Sequence, residues 1–454
     1  MSRKLLTNAL IVTGSSSFKG SLAIDGERIS GVWPGEGLPF PGAEAIDLGG
    51  RILMAGMIDS HVHFREPGMT WKADIASESA AALEGGVTSF IDMPNTAPPT
   101  VSAEAIEDKL QRASSSSKAN YGFHLGATND NVPRIKEYLD TGLGERFGGI
   151  KVFMGSSTGN MLVDRDESLE EVFRIKGKPV LVHSEDEGLI KAGLESARQA
   201  FGDNIPFGCH PTIRSREACI RSTERALEKA VRLGTSLHIL HVSTAEEVDM
   251  IREAKASNPH ITAETSANYL WFSEEDYSRL LGKVKCNPAV KAASDREALR
   301  KALAEGIIDT LGSDHAPHLL SEKDRPYIQC PSGLPSVREQ LPVLFTLAKE
   351  CGIPPERIAS ACSERVAEIF KIEDRGRLAA GCYADLVVID PDKEFTVKGE
   401  GYKCGWSPYE GTVLKGKVEM VWVNGRLAVN NSTLNIGTEQ FQPQPLRFHP
   451  TAGQ

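Results

Sequence analysis

The chain of 454 residues carries 51 basic and 61 acidic side chains, which gives a formal net charge of -10 with histidine neutral. Its 40% hydrophobic and 25% charged residues are typical of a folded globular protein and exclude a disordered, fibrous or membrane-embedded chain. The acidic balance, with no basic run, argues against a nucleic-acid partner, although a few local cations would still allow a small anionic substrate.

The cysteines and the first residues indicate the compartment. The eight cysteines are scattered without a C-x-x-C pair, which favours reduced thiols over a disulfide framework or a zinc ribbon. The opening segment MSRKLLTNALIVTG is interrupted by Thr7 and Asn8 and lacks a small-residue cleavage site. No window reaches the roughly 18 apolar residues of a membrane span. We therefore expect a cytoplasmic enzyme with no membrane partner.

The first 55 residues are predicted to form short strands in NALIVTG, GSLAIDGERISGVWPG and EAIDLGGRILMAG. From Gly56 short apolar runs alternate with helical stretches, as in βα units with parallel strands. The eight runs are GMIDSHVHF, VTSFIDM, YGFHLGA, GIKVFMG, PVLVHSE, LHILHVS, ITAETS and IDTLGSDHA. Eight repeats predict an α/β fold with a closed (β/α)8 TIM barrel, whose active site forms at the carboxyl ends of the strands.

Helices are predicted between these runs, and Ser294 is expected to cap the last of the five. Their ranges are 72–84, 102–113, 217–233, 245–255 and 295–304. After the eighth run comes an irregular segment, 318–331, followed by helical sequence to about Lys371.

Strand patterns return near Gly376, and neither end of the chain has enough strands to bury a sheet face alone. The two ends are therefore predicted to form one small β-sandwich domain. This gives a β-sandwich from residues 1–55 and 373–436 and a barrel over 56–372. The tail, 437–454, is expected to be loosely ordered or to lie along a surface.

Polar side chains that can bind a metal end five of the eight runs: His61, His63, Lys151, His183, His241 and Asp314. His61 and His63 are two residues apart in one strand, so both point to one face, as two ligands of one metal require. Singly, such a histidine is more often a hydrogen-bonded core residue, and Asp314 could cap a helix. Together, six polar groups at one barrel end would leave costly unsatisfied partners without a metal, so we predict a metal centre.

Lys151 admits two interpretations. An ammonium group beside a divalent cation is repelled, so its side chain either points away or has a pKa lowered by burial. In the second case the neutral amine reacts with CO2, and the resulting carbamate bridges two metals. A carbamate offers carboxylate oxygens, which zinc accepts as ligands. The chemistry of the residue alone does not choose between the two.

Seven motifs occur in a characteristic order: GMIDSHVHFREPG, DMPNT, GIKVFMG, LVHSE, LHVST, CNPAVK and GSDHAPH. Together they resemble the dihydroorotases of the amidohydrolase superfamily, in the cyclic-amidase branch that also holds allantoinases and hydantoinases. The resemblance runs from about Asn8 to Asn430. It implies two Zn²⁺ ions per chain, one held by His61, His63 and Asp314 and one by His183 and His241, with N6-carboxylated Lys151 as the bridge. It also implies that Asp314 acts as the catalytic base.

The resemblance further implies substrate-binding roles for Arg65, Asn95, Asn287, His318, Ser332 and Gly333. Arg65 is expected on the strand face of the first two histidines, where its guanidinium suits a carboxylate; the ordinary alternative is a surface salt bridge. Many dihydroorotases have Pro-Phe-Gly where this chain has Pro331, Ser332 and Gly333, so this wall lacks a phenyl group. His124, on the third run, is expected inside the barrel or behind the ligands.

The implied reaction is the reversible cyclisation of N-carbamoyl-L-aspartate to L-dihydroorotate in pyrimidine synthesis. Its substrate is a small anion, and a homodimer is common in the family. One alternative is an allantoinase, which usually has asparagine at the position of Arg65 and lacks MPNT, or a hydantoinase, which lacks both. A non-catalytic scaffold would be marked by missing metal ligands, and none is missing. A nucleotide-binding protein is the third alternative, but no G-x-G-x-x-G or G-x-x-x-x-G-K-[ST] follows a strand.

Overall fold

The computed structural model describes residues 3–35, 40–155, 161–435 and 442–449. Five strands begin the chain: β1 (Arg3–Val12), β2 (Ser17–Asp25), β3 (Arg28–Pro34), β4 (Ala43–Asp47) and β5 (Ile52–Ala55). β1 pairs with β2 in antiparallel orientation and with β4 and β5 in parallel orientation. The strand-rich beginning predicted from the sequence is therefore present.

The next strands form a parallel barrel. They are β6 (Met57–Val62), β7 (Val87–Asp92), β8 (Asn120–Phe123), β9 (Leu125–Gly126), β10 (Ile150–Phe153), β11 (Val180–His183), β12 (Leu237–Ile239), β13 (Ile261–Thr265) and β14 (Thr310–Leu311). β8 and β9 are two parts of one barrel strand, interrupted at His124, so each of the eight runs contributes a strand within the described residues. A parallel bridge between Val62 and His315 closes the ring. The predicted (β/α)8 barrel is confirmed.

Helices connect the barrel strands: α1 (Ile75–Glu84), α2 (Ala103–Ser116), α3 (Val132–Asp140), α4 (Asp166–Phe173), α5 (Glu187–Phe201), α6 (His210–Ile213), α7 (Arg216–Leu233), α8 (Ala245–Ser257), α9 (Ala267–Trp271), α10 (Tyr277–Leu280), α11 (Ala293–Glu305), α12 (Leu320–Lys323), α13 (Gln340–Cys351), α14 (Pro355–Ala359) and α15 (Arg365–Phe370). Short 3-10 turns occupy Leu143–Arg146, Phe207–Cys209, Glu274–Asp276 and Leu281–Val284, and a π-helical turn, Ser360–Glu364, joins α14 to α15. The five predicted helices correspond to α1, α2, α7, α8 and α11. Among the described helices, none combines the length and the apolar character needed to cross a membrane.

The prediction that Ser294 caps a helix is wrong. The helix α11 begins at Ala293, and its N-cap is Ala292, whose side chain makes no capping hydrogen bond. The reason lies in the next acidic residue: Asp295 accepts a hydrogen bond from the backbone of Ala245 at 2.9 Å and so binds the start of α8. This contact fixes Asp295 within the first turn of α11, and Ser294 is already helical.

The C-terminal strands complete a small β domain. They are β15 (Leu386–Asp390), β16 (Phe395–Thr396), β17 (Val413–Leu414), β18 (Lys417–Val423), β19 (Arg426–Asn430) and β20 (Thr433–Leu434). β5 pairs with both β1 and β15, which joins the two ends of the chain in one sheet of nine described strands. Leu6, Leu53 and Trp422 belong to a separate apolar core, whereas Met54 and Val387 face the barrel. The β domain predicted from both ends is confirmed.

The last described residues pack against the barrel. Leu446 and Phe448 are buried in one cluster with Leu181 of β11. The Nζ of Lys178 donates a hydrogen bond to the Phe448 carbonyl at 3.2 Å. Of the two alternatives expected for the tail, residues 442–449 follow the second: they lie along the barrel surface, where Leu446 and Phe448 are buried while Arg447 and His449 stay exposed. Residues 437–441 and 450–454 lie outside the described residues.

Candidate metal centre

All six predicted metal ligands lie at the carboxyl ends of barrel strands. They line a cavity of about 390 Å³ together with Arg65, Asn95, Phe153, Asn287, Ala316, Ser332 and Gly333. Of the predicted substrate residues, His318 is the one that does not line this cavity, but it contacts Arg65. The structure thus brings together residues that are up to 272 positions apart in the sequence, from His61 to Gly333.

His61, His63 and Asp314 form a first cluster of possible metal ligands. Asp314 Oδ1 lies 3.2 Å from His61 Nε2 and 3.0 Å from His63 Nε2. Burial lowers the pKa of His61 well below its ordinary value, so this imidazole is neutral, which is the form that binds metals. Two imidazole nitrogens and a carboxylate oxygen are a donor set that zinc accepts.

Contacts behind the first cluster select the nitrogen that faces the cavity. Glu264 Oε1 in β13 lies 2.6 Å from His61 Nδ1, and Asn95 Oδ1 lies 2.8 Å from His63 Nδ1. Because these oxygens accept a hydrogen bond from the Nδ1–H groups, the lone pair of each Nε2 is directed to Asp314. Asn95 therefore orients a ligand in addition to lining the cavity.

His183 and His241 form a second cluster. His183 Nδ1 and His241 Nε2 are 2.9 Å apart, and burial lowers the pKa of both histidines. Two neutral ring nitrogens approach this closely only if one donates its proton to the other or if both lone pairs bind the same cation. Glu185 Oε2 lies 2.9 Å from His183 Nε2, a close electrostatic contact rather than an aligned hydrogen bond. The same oxygen lies 2.8 Å from Arg214 Nη2. The donor set again fits a metal.

Lys151 is 1% exposed and lines the cavity, which removes the interpretation that its side chain points away from the site. Its Nζ lies 4.6 Å from the centre of the Phe153 ring. Burial lowers the pKa of Lys151 to about 7, and within the described part of the chain no carboxylate lies within ion-pair distance of it. A sizeable fraction of this amine is therefore neutral at neutral pH, as carbamate formation requires.

Three residues of the site have left-handed backbone conformations, which are uncommon for residues other than glycine. The φ angles are 65° at Arg65, 39° at His241 and 49° at Asp314. Such conformations often occur at functional positions. The end of β6 corrects one expectation from the sequence. Because β6 ends at Val62, Arg65 reaches the cavity from the following loop and not from the strand face.

Arg65 gives the cavity a positively charged end. It is 2% exposed, its Nε donates to the Pro317 carbonyl at 3.1 Å, and its Nη2 lies 3.0 Å from His318 Nε2. Burial lowers the pKa of Arg65 to about 10, so the group stays charged at neutral pH. Within residues 3–35, 40–155, 161–435 and 442–449, no carboxylate forms an ion pair with it. A buried guanidinium without a counterion favours an anionic ligand.

His318 lies between two cations. Its Nδ1 is 2.9 Å from Lys72 Nζ, while Arg65 contacts the other ring nitrogen. Burial and the neighbouring charges, Arg65 first among them, lower the pKa of His318 well below its ordinary value. The imidazole is therefore neutral and does not offset the charge of Arg65.

Sequence reasoning missed two acidic residues that lie behind the ligands, whereas it gave His124 its correct environment. Glu264 and Glu185 were not predicted; the available signals were an acid inside the apolar run ITAETS and an acid two residues after His183. His124 is fully buried, and its Nε2 lies 3.0 Å from the Ser60 carbonyl oxygen, which agrees with the expected barrel interior. The buried Asn287 Oδ1 has no hydrogen-bond partner among the described residues and can accept one from a ligand.

The chain is similar to known proteins over most of its length. The model of the family described as "Amidohydrolase family" matches residues 52–428. A dihydroorotase from Halobacterium salinarum is 34% identical over 397 residues, covering 86% of this chain and 89% of that protein. An allantoinase from Arabidopsis thaliana is 33% identical over 411 residues, covering 85% and 79%. The structure of an L-hydantoinase (dihydropyrimidinase) from Arthrobacter aurescens has a TM-score of 0.92 at 25% identity and covers 98% of this chain and 100% of that chain.

Proposed function

The chain belongs to the amidohydrolase family, and from this premise we propose that it is a dihydroorotase, which interconverts N-carbamoyl-L-aspartate and L-dihydroorotate in pyrimidine synthesis. The relatives include dihydroorotases, allantoinases and hydantoinases, so the chemistry of the cavity must distinguish the substrates. One observation carries the choice: Arg65 is buried beside the neutral His318 without a carboxylate partner among the described residues. Dihydroorotate offers this carboxylate, whereas the allantoin and hydantoin rings do not.

We also propose that the protein binds two Zn²⁺ ions. The first would be held by His61, His63 and Asp314 and the second by His183 and His241, with carboxylated Lys151 as the bridge. The support is the neutral state of the buried imidazoles, the 2.9 Å contact between His183 and His241, and the buried amine of Lys151. When bound, zinc supplies Lewis acidity, which activates water near neutral pH and polarises the amide carbonyl.

Asp314 is proposed to move the proton. Burial by itself would raise its pKa, but the close contacts with His61 and His63 outweigh this effect and hold the pKa below its ordinary value. The carboxylate is therefore ionised at neutral pH and accepts a proton from the attacking water. It then returns the proton to the ring nitrogen as the amide C–N bond breaks, and the reverse sequence closes the ring.

Arg65, His318 and Asn287 are proposed to hold the substrate. The guanidinium fork of Arg65 pairs with the substrate carboxylate, which a lysine could not do in the same bidentate way. Asn287 Oδ1 accepts a hydrogen bond from the ring N–H. These contacts align the reacting carbonyl before the chemical step, which lowers the entropic contribution to the activation free energy.

The proposal is tested by conversion in both directions. Zinc-loaded protein is expected to form L-dihydroorotate from N-carbamoyl-L-aspartate and to hydrolyse L-dihydroorotate, as followed by chromatography. Removal of metal with a chelator should abolish both reactions, and added zinc should restore them. Asp314→Asn, which keeps the shape of the side chain, is the matched inactive variant. If metal-loaded protein converts neither compound, the proposed function is wrong.

A further inference from the structure

Residues 330–333 form a short segment whose carbonyl groups are all held by nitrogen donors from other parts of the fold. Ser332 and Gly333 in this segment line the cavity. The Nζ of Lys285 donates to the Cys330 carbonyl at 2.5 Å, and the Nε2 of His318 donates to the Ser332 carbonyl at 3.1 Å. The Nζ of Lys323 donates to the carbonyls of Pro331 and Gly333, at 2.7 and 2.9 Å. These hydrogen bonds fix the positions of all four carbonyl groups, and with them the wall formed by Ser332 and Gly333.

Lys323, at the end of α12, makes the largest number of these contacts. Its Nζ donates to the carbonyls of Pro331, Gly333 and Lys285, the last at 3.1 Å. These three neutral acceptors use all three N–H donors of the ammonium group. The Lys285 carbonyl also accepts from the Gly333 backbone at 2.9 Å, so Lys323 ties both sides of this turn together.

The charge of Lys323 is not balanced locally. The side chain is 1% exposed, and no carboxylate in the described residues lies within ion-pair distance of it. Burial, together with the charges of Lys285 and Arg65, lowers the pKa of Lys323 to about 7. The amine is therefore divided between its neutral and charged forms at neutral pH, and a nearby anion favours the charged form. A buried cation without a counterion costs free energy, and a nearby anion reduces this cost. A substrate carboxylate at Arg65 would supply that anion.

We propose that Lys323 is a positioning residue that fixes the wall formed by Ser332 and Gly333 and, through its unbalanced charge, favours substrates that carry a carboxylate. The role rests on the proposed function, because it concerns the carboxylate of the substrate. It adds a determinant that does not touch the substrate itself.

The test uses the full-length, zinc-loaded protein with Lys323→Met. The KM for L-dihydroorotate is expected to rise by about tenfold, which corresponds to about 1.4 kcal/mol, while kcat and zinc content stay close to the wild-type values. Lys178→Met is the matched control, since Lys178 is also 1% exposed and donates to a carbonyl, but lies away from the cavity. This control should leave KM unchanged.

A second readout does not depend on the substrate. Amide hydrogen exchange across residues 330–334 is expected to become faster in Lys323→Met and to stay unchanged in Lys178→Met. Lys323→Gln keeps N–H donors without the charge; it should also raise KM and serves if Lys323→Met does not fold. An unchanged KM, or a fall in kcat alone, would overturn the proposal. If the wild-type protein does not act on dihydroorotate, the proposed function is wrong. Unchanged hydrogen exchange in Lys323→Met would overturn the positioning role of Lys323, whatever the substrate is.

Discussion

Arg65→Met separates substrate recognition from metal binding. The substitution keeps an apolar side chain of similar length but removes the guanidinium that contacts Pro317 and His318. Losing one partner of a buried charge pair costs about 2–5 kcal/mol, so we expect kcat/KM for L-dihydroorotate to fall on the order of 100-fold. Stability should change by less than about 1 kcal/mol, because relief of a buried unpaired charge offsets the lost hydrogen bond to the Pro317 carbonyl.

The assay measures kcat and KM for dihydroorotate hydrolysis together with zinc content. Zinc content is expected to stay at the wild-type value, since Arg65 contacts none of the proposed ligands. Arg357→Met is the matched control: Arg357 donates to the carbonyls of Leu303 and Ile308, at 2.9 and 2.7 Å, and lies outside the cavity. A kcat/KM of Arg65→Met within about twofold of the wild-type value would refute the carboxylate role, since twofold is only about 0.4 kcal/mol.

Three further changes test the site and its surroundings. Glu264→Gln is expected to weaken zinc binding about 10- to 100-fold, because an amide oxygen accepts the His61 Nδ1–H less strongly than a carboxylate does. Zinc content after dialysis against increasing chelator concentrations measures the affinity, and an unchanged affinity would contradict this role of Glu264. Lys151→Ala should lower the zinc content from about two per chain, and two metals retained would argue against a bridging carbamate. Burial lowers the pKa of Lys178 from 10.5 to about 7, so the folded state binds fewer protons than the unfolded state between these values. The difference in unfolding free energy between the wild type and Lys178→Met should therefore change with pH, with the wild type gaining stability from about pH 7 to 9. Urea titrations measure this difference, and a value that does not change with pH would contradict the lowered pKa of Lys178.

The fold was largely predictable because its signals are local. Short apolar runs between helical stretches specify buried parallel strands, and eight such runs suffice to close a barrel. The start of α11 was not predictable in this way: Ala292 and not Ser294 is the N-cap, and Asp295 in the first turn binds the start of a different helix. The packing of Phe448 against the barrel likewise depends on contacts with residues far away in the sequence, including Lys178.

The ligands of the candidate site were predictable because a barrel brings the ends of its strands together. The residues that orient them were not, because their roles depend on partners that only the fold brings close. Glu264 is an acid in an apolar run until the barrel closes, because only then does its side chain contact His61, although β14 separates β13 from β6. Lys323 similarly has no distinguishing motif, and its three carbonyl partners come from two separate segments.

The choice of substrate is tested most directly by comparing kcat/KM for L-dihydroorotate, allantoin and hydantoin on the same zinc-loaded preparation. We predict that dihydroorotate is preferred by at least about 100-fold, since it alone of the three offers a carboxylate to the buried Arg65. Turnover of allantoin or hydantoin without turnover of dihydroorotate would contradict the proposed function.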